Sequence, residues 1–296
     1  MSAQDKRASK FPLRLDDLGS RVKVARAPLA PVSAPVLTSA PKLQATAAAA
    51  RSVLRPQRLV EHAHVDASRR AAPSGIGLDS ADVRARMAER LRGAGVSNAA
   101  VLSAMATVPR HLFVDAALVA QAYEDTSLPI GHGQTISKPS VVARMIELLL
   151  GGATARQSGG LGRVLEIGTG CGYQAAVLAR LATQVVSVER LRPLHDKARA
   201  LLAAQRPANL RLVYGDGMRG HPPNAPYDSI IAAAGGDELP GAWLEQLALG
   251  GRLISPVRQA GSDRQVLMVV DRTEQGFERN VFEAVHFVPL KSGLVA

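Results

Sequence analysis

The chain has 296 residues, 47% of them hydrophobic and 3% aromatic, enough for one well-filled α/β core with a small appendage and no need for two domains. Its net charge of +11 is uneven: residues 1–78 hold 13 Lys/Arg against 5 Asp/Glu (+8) and the remainder 23 against 20 (+3), which argues against a specific nucleic-acid footprint on the folded part. The single cysteine, Cys171, excludes an internal disulfide and fits a reducing, cytoplasmic setting; no apolar stretch reaches membrane-span length and no signal segment is recognisable.

Residues 1–78 are basic and rich in Ala and Pro, without the apolar periodicity a core requires, and are expected to form a disordered extension; the folded domain is expected over 79–296. Order should begin near Leu78, with Ser80 capping a helix whose Val83, Met87 and Leu91 recur every fourth residue up to Gly93. Ser97 is expected to cap a second helix over 99–108, which Pro109 stops. A long irregular run follows over 123–137, and long loops inside compact domains usually carry function. A helix over 139–150 comes next, for which Ser137 can serve as N-cap.

Residues 164–172 (Val-Leu-Glu-Ile-Gly-Thr-Gly-Cys-Gly) then read as a strand running into a glycine-rich cradle. Glycines at positions 168, 170 and 172 can take positive φ and let backbone approach a ligand, while the next helix begins with N–H groups facing it. The Gly-x-Gly-x-Gly spacing differs from the one suited to a dinucleotide pyrophosphate, and the acid before it, Glu166, favours a ligand carrying a positive amine. A helix over 173–181 and a strand ending in Glu189 complete a βαβ unit, placing a carboxylate where it can accept both hydroxyls of a ribose. A helix over 193–205 precedes a third strand, 210–214, which ends in Gly215-Asp216-Gly217, and Asp216 could meet an adenine amino group. All three acids lie where open α/β sheets bind ligands, and together they fit S-adenosylmethionine: Glu166 near the amino-acid part, Glu189 on the ribose, Asp216 at the base. A strand over 227–234, a helix over 240–249, a strand over 251–257 and two extended segments, 265–271 and 282–289, follow. The expected fold is a Rossmann-like, seven-stranded, mostly parallel sheet with an antiparallel edge and an N-terminal helical subregion. Trp243 reads as packing, Cys171 as a small cradle residue rather than a nucleophile, and the seven histidines show no metal-ligand spacing, so no metal is expected.

These residues resemble the protein-L-isoaspartate O-methyltransferase family from about Ala81 to Leu290. The resemblance rests on Val108-Pro109-Arg110 with Phe113-Val114, on Leu128-Pro129-Ile130-Gly131 with Gly133-Gln134-Thr135-Ile136-Ser137, on the cradle, on Glu189-Arg190 with Leu194, on Gly215-Asp216-Gly217, and on Phe287-Val288-Pro289-Leu290. The cradle is common to class I methyltransferases; the Gln-Thr-Ile-Ser loop is far more restricted. The resemblance implies methylation, from S-adenosylmethionine, of the α-carboxylate of L-isoaspartyl residues in damaged proteins and peptides. It implies Ser137 as the active-site residue, with Thr135 and Ile136 shaping the same loop, and a cofactor site at Glu166, Gly168, Thr169, Gly170, Gly172, Glu189, Asp216 and Gly217. The nucleophile in such a reaction is the substrate carboxylate, already ionised at pH 7, so no strong general base is needed. A monomer without membrane or specific nucleic-acid partners is expected. Two departures from the family pattern are Met218 after Gly-Asp-Gly and Ala234-Gly235-Gly236 after the fourth strand. The alternatives are a class I methyltransferase with another substrate and a non-catalytic adaptor that keeps the cofactor site.

Overall fold

The computed structural model describes residues 81–296 apart from residue 206. The tail, the start of order near Leu78 and the Ser80 cap lie outside the described residues. Helices α1 (Ala81–Gly93) and α2 (Ala99–Thr107) pack on α3 (Pro139–Leu150), and a short α4 (Ala153–Ser158) leads into the sheet. Strands and helices then follow, alternating except for two short 3-10 turns between β5 and β6: β3 (Arg163–Ile167), α5 (Tyr173–Leu178), β4 (Gln184–Glu189), α6 (Arg192–Ala203), β5 (Leu210–Tyr214), β6 (Tyr227–Ala232), α7 (Gly241–Gln246) and β7 (Leu247–Arg258). The hairpin β8 (Gln265–Thr273) and β9 (Gly276–Val285) closes the sheet antiparallel, in the order β5-β4-β3-β6-β7-β8-β9.

Alternation along the strands divides the apolar side chains between two cores. Val164, Val185, Ile231 and Ile254 face the layer containing α1–α3, whereas Leu165, Ile167, Val186, Ile230 and Leu253 face the layer of Trp243 and Leu247. The central strands are buried on both faces, as parallel strands covered by helices must be, while β9 is largely exposed at the edge. The same parity sets two polar groups side by side: Glu166 and Ser187 are register partners on adjacent strands, both buried.

Several local expectations are corrected. Asn98, not Ser97, caps α2, its Oδ1 accepting from Ala100 N and Val101 N, because Ser97 instead donates its N–H and hydroxyl to Glu147. Residues 123–137 are not wholly irregular: β1 (Leu128–Gly131) and β2 (Gln134–Ile136) form an antiparallel hairpin. Lys138 stands at the N-cap of α3 with no side-chain cap, so Ser137 is not the cap, and Asp125 holds the helix start by accepting from Ser140 N and Oγ, each at 2.8 Å. The expected 240–249 helix ends at Gln246, where Leu247 turns into the second core and β7 begins. No helix among the described residues is long and apolar enough to cross a membrane.

Candidate active site

The carboxyl ends of β3, β4 and β6 open into a cavity of about 250 Å³, and the β1–β2 hairpin forms its opposite wall. This is the crevice where strand connections leave in opposite directions, the usual ligand site of an open α/β sheet. Thr135, Ile136 and Ser137 line it from the hairpin; Gly168, Thr169, Gly170, Glu189 and Gly217 line it from the sheet. Two halves well separated in sequence therefore meet in one space.

The cradle owes its shape to its glycines. Gly170 has φ +55°, and a Cβ there would stand 3.2 Å from Ile130 Cδ1, so the hairpin rests directly on the cradle. Gly172 has φ +92°, and a Cβ would stand 2.8 Å from Leu202 Cδ1, so it serves the close approach of α6 rather than the cavity, which it does not line. The Glu189 carboxylate is fixed by two backbone donors, Gly170 N to Oε2 and Leu191 N to Oε1, both at 2.9 Å. Each oxygen keeps further lone pairs for a ligand hydroxyl.

Glu166 is fully buried beneath the cradle and does not line the cavity. It accepts from Ser187 Oγ, which shares a 2.6 Å hydrogen bond with Thr169 Oγ1, a cavity-lining group. Burial pushes its carboxyl up to about 8, the Ser187 and Gln174 side chains pulling the other way, and its Oε1 has no partner in the structure. Asp216 also stays off the cavity wall: Oδ1 accepts from Met218 N at 3.0 Å and Oδ2 from Gly293 N at 2.8 Å, which ties the C-terminal segment to the end of β5.

Other residues on or behind the wall carried no functional reading in the sequence. Trp243 does more than pack: buried, it donates from Nε1 to the Gly217 carbonyl at 2.8 Å and pins that loop. Gln174 and Cys171 both line the cavity. Cys171 is buried, and desolvation pushes its thiol up to about 11. The segment Val288 to Lys291 crosses the mouth, held by Gly235 N to Val288 O at 2.9 Å and Leu290 N to Gly235 O at 2.8 Å. The Gly235 departure fits this packing, because a Cβ there would lie 2.5 Å from Gln265 Nε2. At the hairpin tip His132 lines the cavity with φ +54°, the one non-glycine with positive φ among the described residues. Strained turns of this kind cluster at ligand sites.

The family model for protein-L-isoaspartate(D-aspartate) O-methyltransferase matches residues 82–294. The chain belongs to this family. It is 56% identical over 294 residues to a Methylibium petroleiphilum protein-L-isoaspartate O-methyltransferase, covering 99% of both chains. A Leptothrix cholodnii relative of the same name is 61% identical over 242 residues, covering 81% of this chain and 84% of that one. A solved protein-L-isoaspartate O-methyltransferase structure is 31% identical, covers 71% of this chain and 67% of its own, and superposes with a TM-score of 0.63. A Plasmodium falciparum structure in complex with S-adenosyl-L-homocysteine is 24% identical, covers 70% of this chain and 98% of its own, and shares the fold at a TM-score of 0.59. The seven-stranded, Rossmann-like expectation is met, edge hairpin included.

Proposed function

We propose that this enzyme transfers a methyl group from S-adenosylmethionine to the α-carboxylate of L-isoaspartyl residues in damaged proteins and peptides. The observation that carries the reading is the meeting of the positive-φ cradle and the Gln-Thr-Ile-Ser hairpin across one cavity, with Gly170 and Ile130 in near contact. The wall fits the cofactor's chemistry: a cradle that a side chain would fill, a fixed carboxylate at a strand end for ribose hydroxyls, and a hydroxyl on Thr169 backed by Glu166 on the side expected to take the amino-acid part. When bound, the cofactor supplies an electrophilic methyl on a sulfonium, so the acceptor needs no strong base.

The chain's own residues then have four tasks. Glu189 orients the ribose through its free lone pairs, held rigid by Gly170 N and Leu191 N. Thr169 presents a hydroxyl whose polarity Ser187 and Glu166 set from behind. Ser137, whose hydroxyl has no partner among the described residues, hydrogen-bonds the substrate carboxylate without a charge that would quench its nucleophilicity. Ile136, Ile130 and the segment from Val288 to Leu290 exclude water from the reacting pair. Gly172, Asp216 and Gly217 support this wall: Gly172 lets α6 approach, and Asp216 and Gly217 hold the loop after β5. The near-neutral balance of residues 79–296 supports a folded part without a specific nucleic-acid site, and the family match over residues 82–294 supports residues 1–78 as an extension outside the chemistry.

The test is methyl transfer from labelled S-adenosylmethionine to an isoaspartyl peptide and to its aspartyl twin. Labelling of the first alone is the expected result. Equal labelling, or none with cofactor bound, would favour another substrate or an adaptor role.

A further inference from the structure

A buried cation beneath the hairpin plays no part in the steps above. Arg110 opens the short turn Arg110–Phe113 behind Pro109, and none of it is exposed. Its Nε donates to the Ala122 carbonyl at 2.8 Å, and its Nη2 donates to the Ser137 carbonyl at 2.7 Å and reaches the Thr126 carbonyl at 3.4 Å. The guanidinium lies 4.8 Å from the centroid of the Tyr173 ring, at the first residue of α5 and on the cavity wall. Nη1 has no partner in the structure. The acid whose field reaches this group, Asp125, is committed to Ser140 N and Oγ.

A guanidinium keeps its proton in proteins, and burying an ion is costly without an opposite charge. Here every hydrogen-bond partner is neutral, so the charge is offset only through space, by the field of Asp125, and it stands one peptide group away from Ser137. Donation to the Ser137 carbonyl also strengthens the peptide N–H on the other side of that bond, at Lys138.

We propose that Arg110 is a positioning residue that makes the cavity beside Ser137 selective for an ionised carboxylate, while its two-carbonyl grip fixes the end of the hairpin against the cradle helix. The inference rests on the isoaspartyl-carboxylate reading and adds a specificity determinant to it. The placement suits the reaction. Methyl transfer converts the carboxylate to a neutral ester, so a cation in direct contact would oppose the loss of charge, whereas one held behind a peptide group attracts the anion and weakens its hold on the product.

The experiment is equilibrium binding at pH 7 to the full chain loaded with S-adenosyl-L-homocysteine, using an isoaspartyl peptide and its twin with an α-carboxamide in place of the carboxylate. Wild type binds the acid more tightly than the amide. Arg110→Gln is expected to lower that ratio about tenfold, the scale of a partly screened charge interaction, with amide affinity changed by less than about twofold. Arg110→Lys keeps the charge and loses the fork; it should keep the ratio within about threefold while lowering kcat. Equal weakening of both peptides in Arg110→Gln means a merely structural role and overturns the proposal. Should that variant fail to fold, collapse of the ratio in Arg110→Lys overturns it instead. Absence of acid preference in wild type overturns the substrate reading and this inference together, whereas wild-type preference retained without the charge overturns the inference alone.

Discussion

Replacing Glu166 with Gln keeps the shape of the side chain and removes its capacity to ionise. In the folded protein its carboxyl is pushed up to about 8, with burial the largest cause and the nearby Glu189 charge adding to it. In the unfolded chain a glutamate titrates near 4.3. Between those pH values the folded state holds a proton that the unfolded state has released, so the stabilising contribution is complete below the unfolded pKa and is lost as pH rises through about 8. At about 1.36 kcal/mol per pH unit, wild type should lose on the order of 4 kcal/mol relative to Glu166→Gln across that window. Urea unfolding of both proteins at pH 5, 6, 7, 8 and 9, without cofactor, measures the difference directly. The variant should gain on wild type at each step up to pH 8 and then level off. A difference that stays flat from pH 5 to 8 would show that Glu166 is ionised throughout, and the burial argument would be refuted. A cationic amine bound near Thr169 favours the ionised carboxyl, so wild-type affinity for S-adenosylmethionine should rise over the same window and that of the variant should not.

Ser137→Ala should leave thermal stability and S-adenosylmethionine affinity nearly intact, since the hydroxyl has no partner among the described residues, and slow methyl transfer roughly 10- to 1000-fold in single-turnover assays, with a flat profile across neutral pH. Glu189→Ala should weaken cofactor binding by about 1.5 to 3 kcal/mol, and unchanged affinity by calorimetry would remove Glu189 from the ribose site. Gly170→Val places a branched side chain at φ +55° against Ile130, so cofactor binding should fall below calorimetric detection while far-UV circular dichroism keeps its α/β form. A chain starting at Gly77 should fold and methylate an isoaspartyl peptide, and should lose most salt-sensitive binding to polyanions because it sheds +8 of the net charge; loss of turnover in a folded protein would implicate the extension.

The sheet was legible because its signals are local and redundant: β-branched runs at the central strands, glycines after the first, and acids at three strand ends. The hairpin was not, because strands of four and three residues around two left-handed turn positions are too short for alternation to register. Ser97 and Asn98 are both good caps by composition, and only the position of Glu147, some 50 residues on, decides between them. The same limit applies to the site. Glu166, Gly172 and Asp216 sit in the right motifs, but whether a side chain reaches the cavity or supports it from behind depends on long-range packing: the Ser187 register, the approach of Leu202, the return of Gly293. Arg110 belonged to the family motif, yet its charge acquires a role only when Ala122, Ser137 and Tyr173 close around it.

Cys171 has a bearing on the fidelity of the reaction. A thiolate is a stronger nucleophile toward a sulfonium methyl than a carboxylate is, and this thiol stands on the cavity wall. Burial pushes this thiol up to about 11 against the pull of the Arg110 and Lys197 charges, so the neutral thiol prevails at neutral pH. Desolvation of the cradle thus outweighs the nearby Arg110 cation and holds the thiol in the form least able to accept the methyl group itself.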